Sequence, residues 1–189
     1  IDSKSMKVFS QSIVMFDKRK TLFTEVFTRI PMRHNTYMSG SHFIEIAKQS
    51  GYITDIDLAA LRYALGKVKA ARKAKKNPGL YFINISLTTL KHGRFMSPLL
   101  RALADDRGIA PFLVFELQES EMSRIDNSSY DLLRGLSGLG CRLSIDHVEG
   151  LDMTVDLLRE LNVRFVKIRA ALLINHITTM RGMQSIKRL

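Results

Sequence analysis

The sequence predicts an α/β fold on a mostly parallel sheet, and three observations carry that prediction. From residue 80 onward, short apolar runs alternate with amphipathic stretches in the order βαβαβαβα, the pattern of parallel strands joined by crossover helices. Ahead of them, KVFSQSIVMF (7–16) and TLFTEVFTRI (21–30) are separated only by the charged turn DKRK, so they read as an antiparallel pair of strands. Polar side chains then recur near the ends of successive strands, which is where α/β sheets collect their ligands.

The elements follow in order. SGSHFIEIAKQSG offers Ser41 as a cap and closes on Gly51, so it reads as a short helix. DIDLAALRYALGKVKAARKAKK carries Leu58, Leu61, Leu65 and Val68 at spacings of three and four, a helix with one apolar stripe. LYFINIS (80–86) is a continuous β-rich run suited to a strand covered on both faces. A helix over 94–107 leads to the strand PFLVFEL, and the helix SSYDLLRGLSGLG leads to the strand CRLSID. The helix TVDLLREL, the strand VRFVKI and the helix AALLINHI complete the alternation. MRGMQSIKRL repeats Met180, Met183, Ile186 and Leu189 every three residues, as a further helix would.

Six strands are predicted in 189 residues, whereas a closed (β/α)₈ barrel takes about 250 residues. The expectation is a single domain over residues 1–189, barrel-like and lacking its last strands. The first residue is Ile1 rather than Met, as in a piece of a longer protein. An unclosed barrel keeps a free sheet edge, so these residues in isolation are expected to associate or unfold.

Composition narrows the function classes. With 46% hydrophobic and 25% charged residues the chain is ordinary for a globular protein. The single cysteine, Cys141, excludes an internal disulfide framework and fits a reducing, cytoplasmic setting. No run approaches the ~18 apolar residues of a membrane span, which leaves tethering to segments outside this piece. The net charge of +11 invites an anionic partner, and KVKAARKAKK, with Lys67, Lys69, Arg72, Lys73, Lys75 and Lys76, is its densest cluster. That run precedes NPG at a helix end, where cations are favoured and solvated. No aromatic series accompanies it, so no specific nucleic-acid partner is expected.

The candidate site comes from the strand ends. Glu25 and Arg29 lie on the second strand, Asn84 on the third, Glu116 on the fourth, Asp146 on the fifth and Lys167 on the sixth. Glu25, Asn84, Glu116 and Asp146 form an oxygen-rich set of the kind Mg²⁺, Mn²⁺ or Ca²⁺ selects, enough for a single divalent site. Lys167 and Arg29 beside it suit a phosphate. Taken singly, a strand-end acid is usually a solvated loop residue, and Lys167 has the option of snorkelling outward. Asn84 in an apolar strand is harder to dismiss, because a buried amide needs partners. GLSGLG (135–140) follows a helix instead of opening one, so it is no dinucleotide fingerprint. The five histidines show no zinc spacing.

These residues, in this order, resemble the EAL domain family, which binds and in active members hydrolyses cyclic di-GMP. SQSIV resembles the family's Gln-Pro-Ile-Val opening, with Gln11 kept and Ser12 in place of proline. EVFTR stands at Glu-Ala-Leu-x-Arg, keeping Glu25 and Arg29 but placing Val26 and Phe27 between them. NIS matches Asn-x-Ser, FELQES matches Glu-Ile-Thr-Glu through Glu116 and Glu119, and Lys167 falls at the family lysine. The resemblance implies a TIM-barrel-like fold and ligand contacts from Gln11, Glu25, Phe27, Arg29, Asp146 and Lys167. It implies Mg²⁺ or Mn²⁺ as cofactor and, in an active member, Lys167 and Glu25 among the catalytic groups.

The departures point away from catalysis. The family's Asp-Asp-Phe-Gly-Thr-Gly becomes DHVEGL, so Asp146 keeps the first aspartate while His147 replaces the second. Val148, Glu149 and Leu151 remove the phenylalanine and two glycines. Two-metal hydrolysis stabilises both the attacking and the leaving oxygen, and a neutral imidazole brings no charge to a hard dication. The expected function is therefore a degenerate receptor that couples cyclic di-GMP binding to a protein partner, with a homodimer also open. LVFELQE, CRLSIDHVEGLDM and RFVKIRAALL resemble TipF-like proteins of alphaproteobacteria, which implies a role in flagellar assembly. The alternatives are a weak phosphodiesterase and an interaction module that needs no nucleotide.

Overall fold

A computed structural model describes residues 6–14, 21–149 and 155–177. Strand β1 (Lys7–Val14) pairs antiparallel with β2 (Thr21–Pro31), as the hairpin reading requires. The DKRK turn and the 180–189 segment lie outside the described residues. A two-residue strand β3 (Tyr37–Met38) pairs with the end of β2 and was too short to leave a sequence pattern. Helix α1 (Gly40–Gln49) starts earlier than its expected cap, since the N-cap is Ser39 rather than Ser41.

Helix α2 (Ile53–Lys73) corrects the apolar stripe by about one residue. Its buried face is Ile53, Ile56, Asp57, Ala60, Leu61, Ala64 and Val68, while Leu58 and Leu65 are only half-buried at its side. The lysines and arginines of its basic run are exposed, as a solvated helix end should be. Strand β4 (Leu80–Asn84) is followed by α3 (Leu87–Leu90), a single turn capped by the Ser86 hydroxyl, and by α4 (Gly93–Asp105). Strand β5 (Leu113–Gln118) leads through α5 (Glu119–Met122) to α6 (Asn127–Gly138). Strand β6 (Arg142–Val148), α7 (Val155–Glu160), β7 (Val163–Ile168) and α8 (Ala170–Ile177) complete the described chain.

The sheet runs β1-β2-β4-β5-β6-β7, parallel from β2 onward, with β3 attached to β2. In a flat sheet β2 and β7 would lie about 19 Å apart, four strand spacings. Instead Phe23 of β2 meets Phe165 of β7 with ring centroids 5.4 Å apart, and both meet Phe82 of β4. The sheet therefore curls on itself, and the concave side is plugged by this aromatic trio.

Alternation does the rest. Val26, Ile83, Leu113, Phe115, Leu117, Leu143 and Ile145 point outward and join the main core with Ala60, Leu61, Ala64 and Val68 of α2. Cys141 lies in that core, its thiol pushed up to about 12 by burial, as a small core residue rather than a nucleophile. The opposite set of alternating residues faces the concave side. It contains Glu25, Glu116, Ser144 and Lys167.

Candidate functional site

Lys167 organises the centre of the concave face. Its ammonium lies 2.8 Å from a carboxylate oxygen of Glu25 and 2.8 Å from one of Glu116. The snorkelling option is thus overturned, because two inward carboxylates hold the amine more strongly than solvent does. Glu116 has no exposed side-chain surface, and Ser144 on the neighbouring strand donates to its other oxygen at 3.1 Å. Burial raises the Glu116 carboxyl to about 7, with Lys167 opposing the shift and Glu25 and Asp146 adding to it. Burial alone would lower the Lys167 amine, but Glu116 and Glu25 outweigh it and the net shift is upward.

A cleft of about 250 Å³ opens beside this triad. Glu25, Phe27 and Arg29 of β2, Asn84 of β4 and Asp146 and His147 of β6 all line it. The structure thus gathers most of the sequence-predicted residues on one side of the sheet. Gln11 stands apart: it pairs in register with Glu25 across the β1–β2 ladder, yet it is exposed and outside the cleft lining. Arg29 crosses the Phe27 ring at 5.3 Å and donates to the adjacent Thr28 carbonyl at 3.2 Å. Among the described residues it has no carboxylate partner, so its guanidinium is a free charge at the cleft.

Asp146 is placed differently from its sequence reading. Strand β6 continues through it to Val148, so the residue lies inside a strand and not at its exit. The β6–β7 register shifts between Ile145 and Val148, and His147 absorbs the irregularity with φ 57°, a left-handed conformation that costs a non-glycine residue about 1–3 kcal/mol. One Asp146 oxygen accepts from the His147 backbone N–H at 2.7 Å. The other lies 3.0 Å from Nδ1 of the His147 imidazole, which is largely exposed. Glu149 is pinned beyond it, with its N–H donating to Glu119 at 2.7 Å and its carboxylate 2.9 Å from Arg169.

The donor types suit one hard divalent ion through Glu25, Asn84, Glu116 and Asp146. The arrangement suits it poorly. Among the described residues no three His, Cys, Asp or Glu side chains form a metal-binding group. The Lys167 ammonium fills the charge-balancing place between Glu25 and Glu116, and both Asp146 oxygens are already engaged.

Sequence reasoning missed Asp57. It sits on the buried face of α2 and lines the cleft. One of its oxygens accepts from the Ser86 N–H (2.9 Å), the Ser86 hydroxyl (2.9 Å) and the Thr89 hydroxyl (2.6 Å). Burial raises this carboxyl to about 6 against the pull of those hydrogen bonds. The available signal was an acid within the i, i+3, i+4, i+7 pattern Ile53, Ile56, Asp57, Ala60.

A curled, mostly parallel sheet with helices on its outer face and a cleft beside its inward charged residues defines an α/β domain of the crossover type. A profile of the EAL domain matches residues 1–189, and the chain belongs to that family. It is 25% identical over 157 residues to the cyclic di-GMP phosphodiesterase PdeF of Escherichia coli, covering 83% of this chain and 21% of PdeF. It is 27% identical over 138 residues to the probable cyclic di-GMP phosphodiesterase PdeI of the same organism, covering 72% and 18%. The chain thus spans about a fifth of the length of these relatives. Among solved structures, the FimX EAL domain of Pseudomonas aeruginosa bound to c-di-GMP superposes with a TM-score of 0.74 at 20% identity, over 98% of this chain and 74% of that one. The S helix-GGDEF-EAL region of Vibrio cholerae LapD, in its apo form, gives 0.76 at 16% identity, over 98% and 44%. These superpositions establish the fold, including the mostly parallel sheet with its antiparallel N-terminal pair.

Proposed function

We propose that this domain binds cyclic di-GMP in the Arg29 cleft without hydrolysing it and passes occupancy to a protein partner. The observation that carries the reading is the split between its cations. Lys167 is paired with Glu25 and Glu116, whereas Arg29 has no carboxylate partner among the described residues and lies against Phe27 at the cleft. A guanidinium beside an aromatic ring suits a ligand with a phosphate and a flat base. The bound state of the FimX domain supports the ligand class.

Loss of hydrolysis is inferred from position 147. An imidazole stands where a second carboxylate would be needed, and its ring is turned onto Asp146. A two-metal reaction has no anionic ligand there. If Mg²⁺ or Mn²⁺ binds, Glu25, Asn84, Glu116 and Asp146 are the residues that would hold it, and the ion would supply charge for the phosphate oxygens. Gln11 then contributes from the strand edge instead of the cleft wall. The TipF resemblance supports a partner in flagellar assembly and a cytoplasmic setting. Residues 1–189 form one domain in this reading. No described helix is long and apolar enough to cross a membrane, so tethering would come from other segments.

Calorimetry with cyclic di-GMP, paired with an assay for its linear product, tests both halves. Saturable binding without product is expected. Absence of binding with and without Mg²⁺ would refute the receptor reading. The second reading, a slow phosphodiesterase, draws on the names of PdeF and PdeI and on the retained Glu25, Glu116, Asp146 and Lys167. Product formation at a rate abolished by Glu25→Gln would establish it.

A further inference from the structure

Helices α2 and α4 leave an apolar groove between them on the outer, helical side of the sheet, away from the Arg29 cleft. It measures about 420 Å³. Leu58, Leu61 and Leu65 of α2 form one wall, and Phe95, Pro98 and Leu99 of α4 form the other. Leu58 and Leu65 are the residues that the sequence placed on the core stripe and that the structure leaves half-buried. Leu65 packs on the edge of the main core, and the remaining surface of both leucines faces the groove.

The rim is cationic. Arg62 and Arg94 line the groove from opposite helices, with His92 beside Arg94. Both arginines are exposed, and among the described residues neither has a hydrogen-bonded or ion-paired side-chain partner. Within the same pair of helices Arg72 shows how such a charge is met, with Asp106 at 2.8 Å, whereas the groove's rim holds no acid among its lining residues. Apolar walls with unpaired arginines at the edge match the composition of protein-binding surfaces, where Arg is enriched at the boundary of an apolar centre.

We propose that the α2–α4 groove docks an acidic amphipathic helix of a partner protein. Charge selects this occupant. A second copy meeting the same groove about a twofold axis would bring two cationic rims together and supply no acid for Arg62 or Arg94, because such an interface opposes identical patches. The chain's +11 net charge disfavours a copy docking by another face as well. A helix with apolar residues at i, i+3, i+4 and i+7 fits a groove between two helices, and glutamates on its flanks would answer the two arginines. The inference names a partner chemistry for the proposed receptor, but it stands on the groove alone.

The test is fluorescence anisotropy on the full-length protein. The probe is a labelled peptide of about 14 residues, matching the ~20 Å length of α4, with Leu at the helical spacing and Glu on its flanks. Its twin carries Lys in place of Glu. Saturable binding of the Glu peptide alone is expected, weakened about tenfold by Arg62→Glu/Arg94→Glu and weakened again as salt shortens the Debye length. Ala102→Trp, which fills the groove without altering charge, should also weaken it. Equal binding of the two peptides, no binding, or indifference to these variants overturns the proposal. So does a dimer in light scattering that Arg62→Glu/Arg94→Glu dissolves, which would make the groove a self-interface. Binding to anionic phosphatidylserine vesicles that the same variant abolishes, with no peptide binding, overturns it in favour of a membrane. Running each titration with and without cyclic di-GMP separates this result from the nucleotide reading, since peptide binding without nucleotide binding supports the groove alone.

Discussion

Replacing Lys167 with Met should destabilise the domain by an amount that depends on pH. The variant keeps an unbranched stem against the Phe82 ring, which lies 5.4 Å from the amine, but removes the ammonium that Glu25 and Glu116 share. Breaking a buried ion pair costs about 3–5 kcal/mol. The Lys167 side chain is 25% exposed, so water relieves part of that penalty and about 2–3 kcal/mol is expected near pH 9. For a domain of this size that corresponds to a fall in Tm of about 4–12 °C. Near pH 5 the loss should shrink. The Glu116 carboxyl sits at about 7, above its ordinary 4.5, so the folded protein holds this proton more tightly than the unfolded chain. The stability from that proton is fully present below about 4.5 and is lost as pH rises through 7. At pH 5 Glu116 is protonated with or without Lys167, so its carboxylate is no longer among the charges that the variant leaves unpaired. At pH 9 the native protein ionises Glu116 against the ammonium, whereas the variant must ionise it alone or keep it protonated. Thermal melts of both proteins across this range check the reasoning. An equal fall in Tm at pH 5 and pH 9 would refute it, since the lysine would then matter only for packing.

Arg29→Ala should weaken cyclic di-GMP binding about ten- to a hundredfold, the value of a charge-assisted contact, with an unchanged circular dichroism spectrum; calorimetry reads it, and full affinity would move the phosphate elsewhere. His147→Asp should raise hydrolysis of cyclic di-GMP above the parent in the presence of Mn²⁺, measured by chromatography of the linear product. No gain would place the defect beyond the second carboxylate. Asp57→Leu should lose about 2–4 kcal/mol in urea denaturation, because it leaves the Ser86 and Thr89 donors without their shared acceptor. Asp57→Asn tests its protonation: the carboxyl is raised to about 6, so its proton-linked stability is present below about 3.8 and lost as pH rises through 6. The amide variant should therefore show a flatter stability profile between pH 4 and 7, and an unaltered slope would remove Asp57 as its source.

What the sequence could reveal followed from periodicity. The parallel alternation after residue 80 was readable because strand and helix patterns there are long and opposed in period. The two-residue β3 and the single turns α3 and α5 were not, since such elements are fixed by neighbours and not by their own pattern. Alternation also explains why Glu25, Glu116 and Lys167 could be named from their strands: each lies in step with an inward aromatic or polar residue. Asp57 escaped because it is a polar residue on a helix, where the search followed leucines. The stripe drawn through Leu58 and Leu65 erred for the same reason. Small residues such as Ala60 and Ala64 let α2 approach the sheet, so close packing favoured them over larger side chains on the buried face. His147 was flagged by the family resemblance, but its left-handed backbone and the extension of β6 past Asp146 depend on pairing with β7.

The curl of the sheet is what turns these separate strand positions into one electrostatic unit. Contact between β2 and β7 brings Glu25 to Lys167, although their strands are four places apart in the sheet order. Once there, the amine pairs with both carboxylates and opposes the burial that raises the Glu116 carboxyl. A dianionic ligand entering the cleft therefore meets a centre whose internal charges are largely settled, and Arg29 supplies the free attraction. The proposed loss of hydrolysis rests on the missing second acid beside Asp146, which His147→Asp would supply. In the proposed receptor reading, this arrangement of charge serves to hold a phosphate. Arg29→Ala and His147→Asp consequently act on different halves of one site, and their effects on binding and on hydrolysis should be separable.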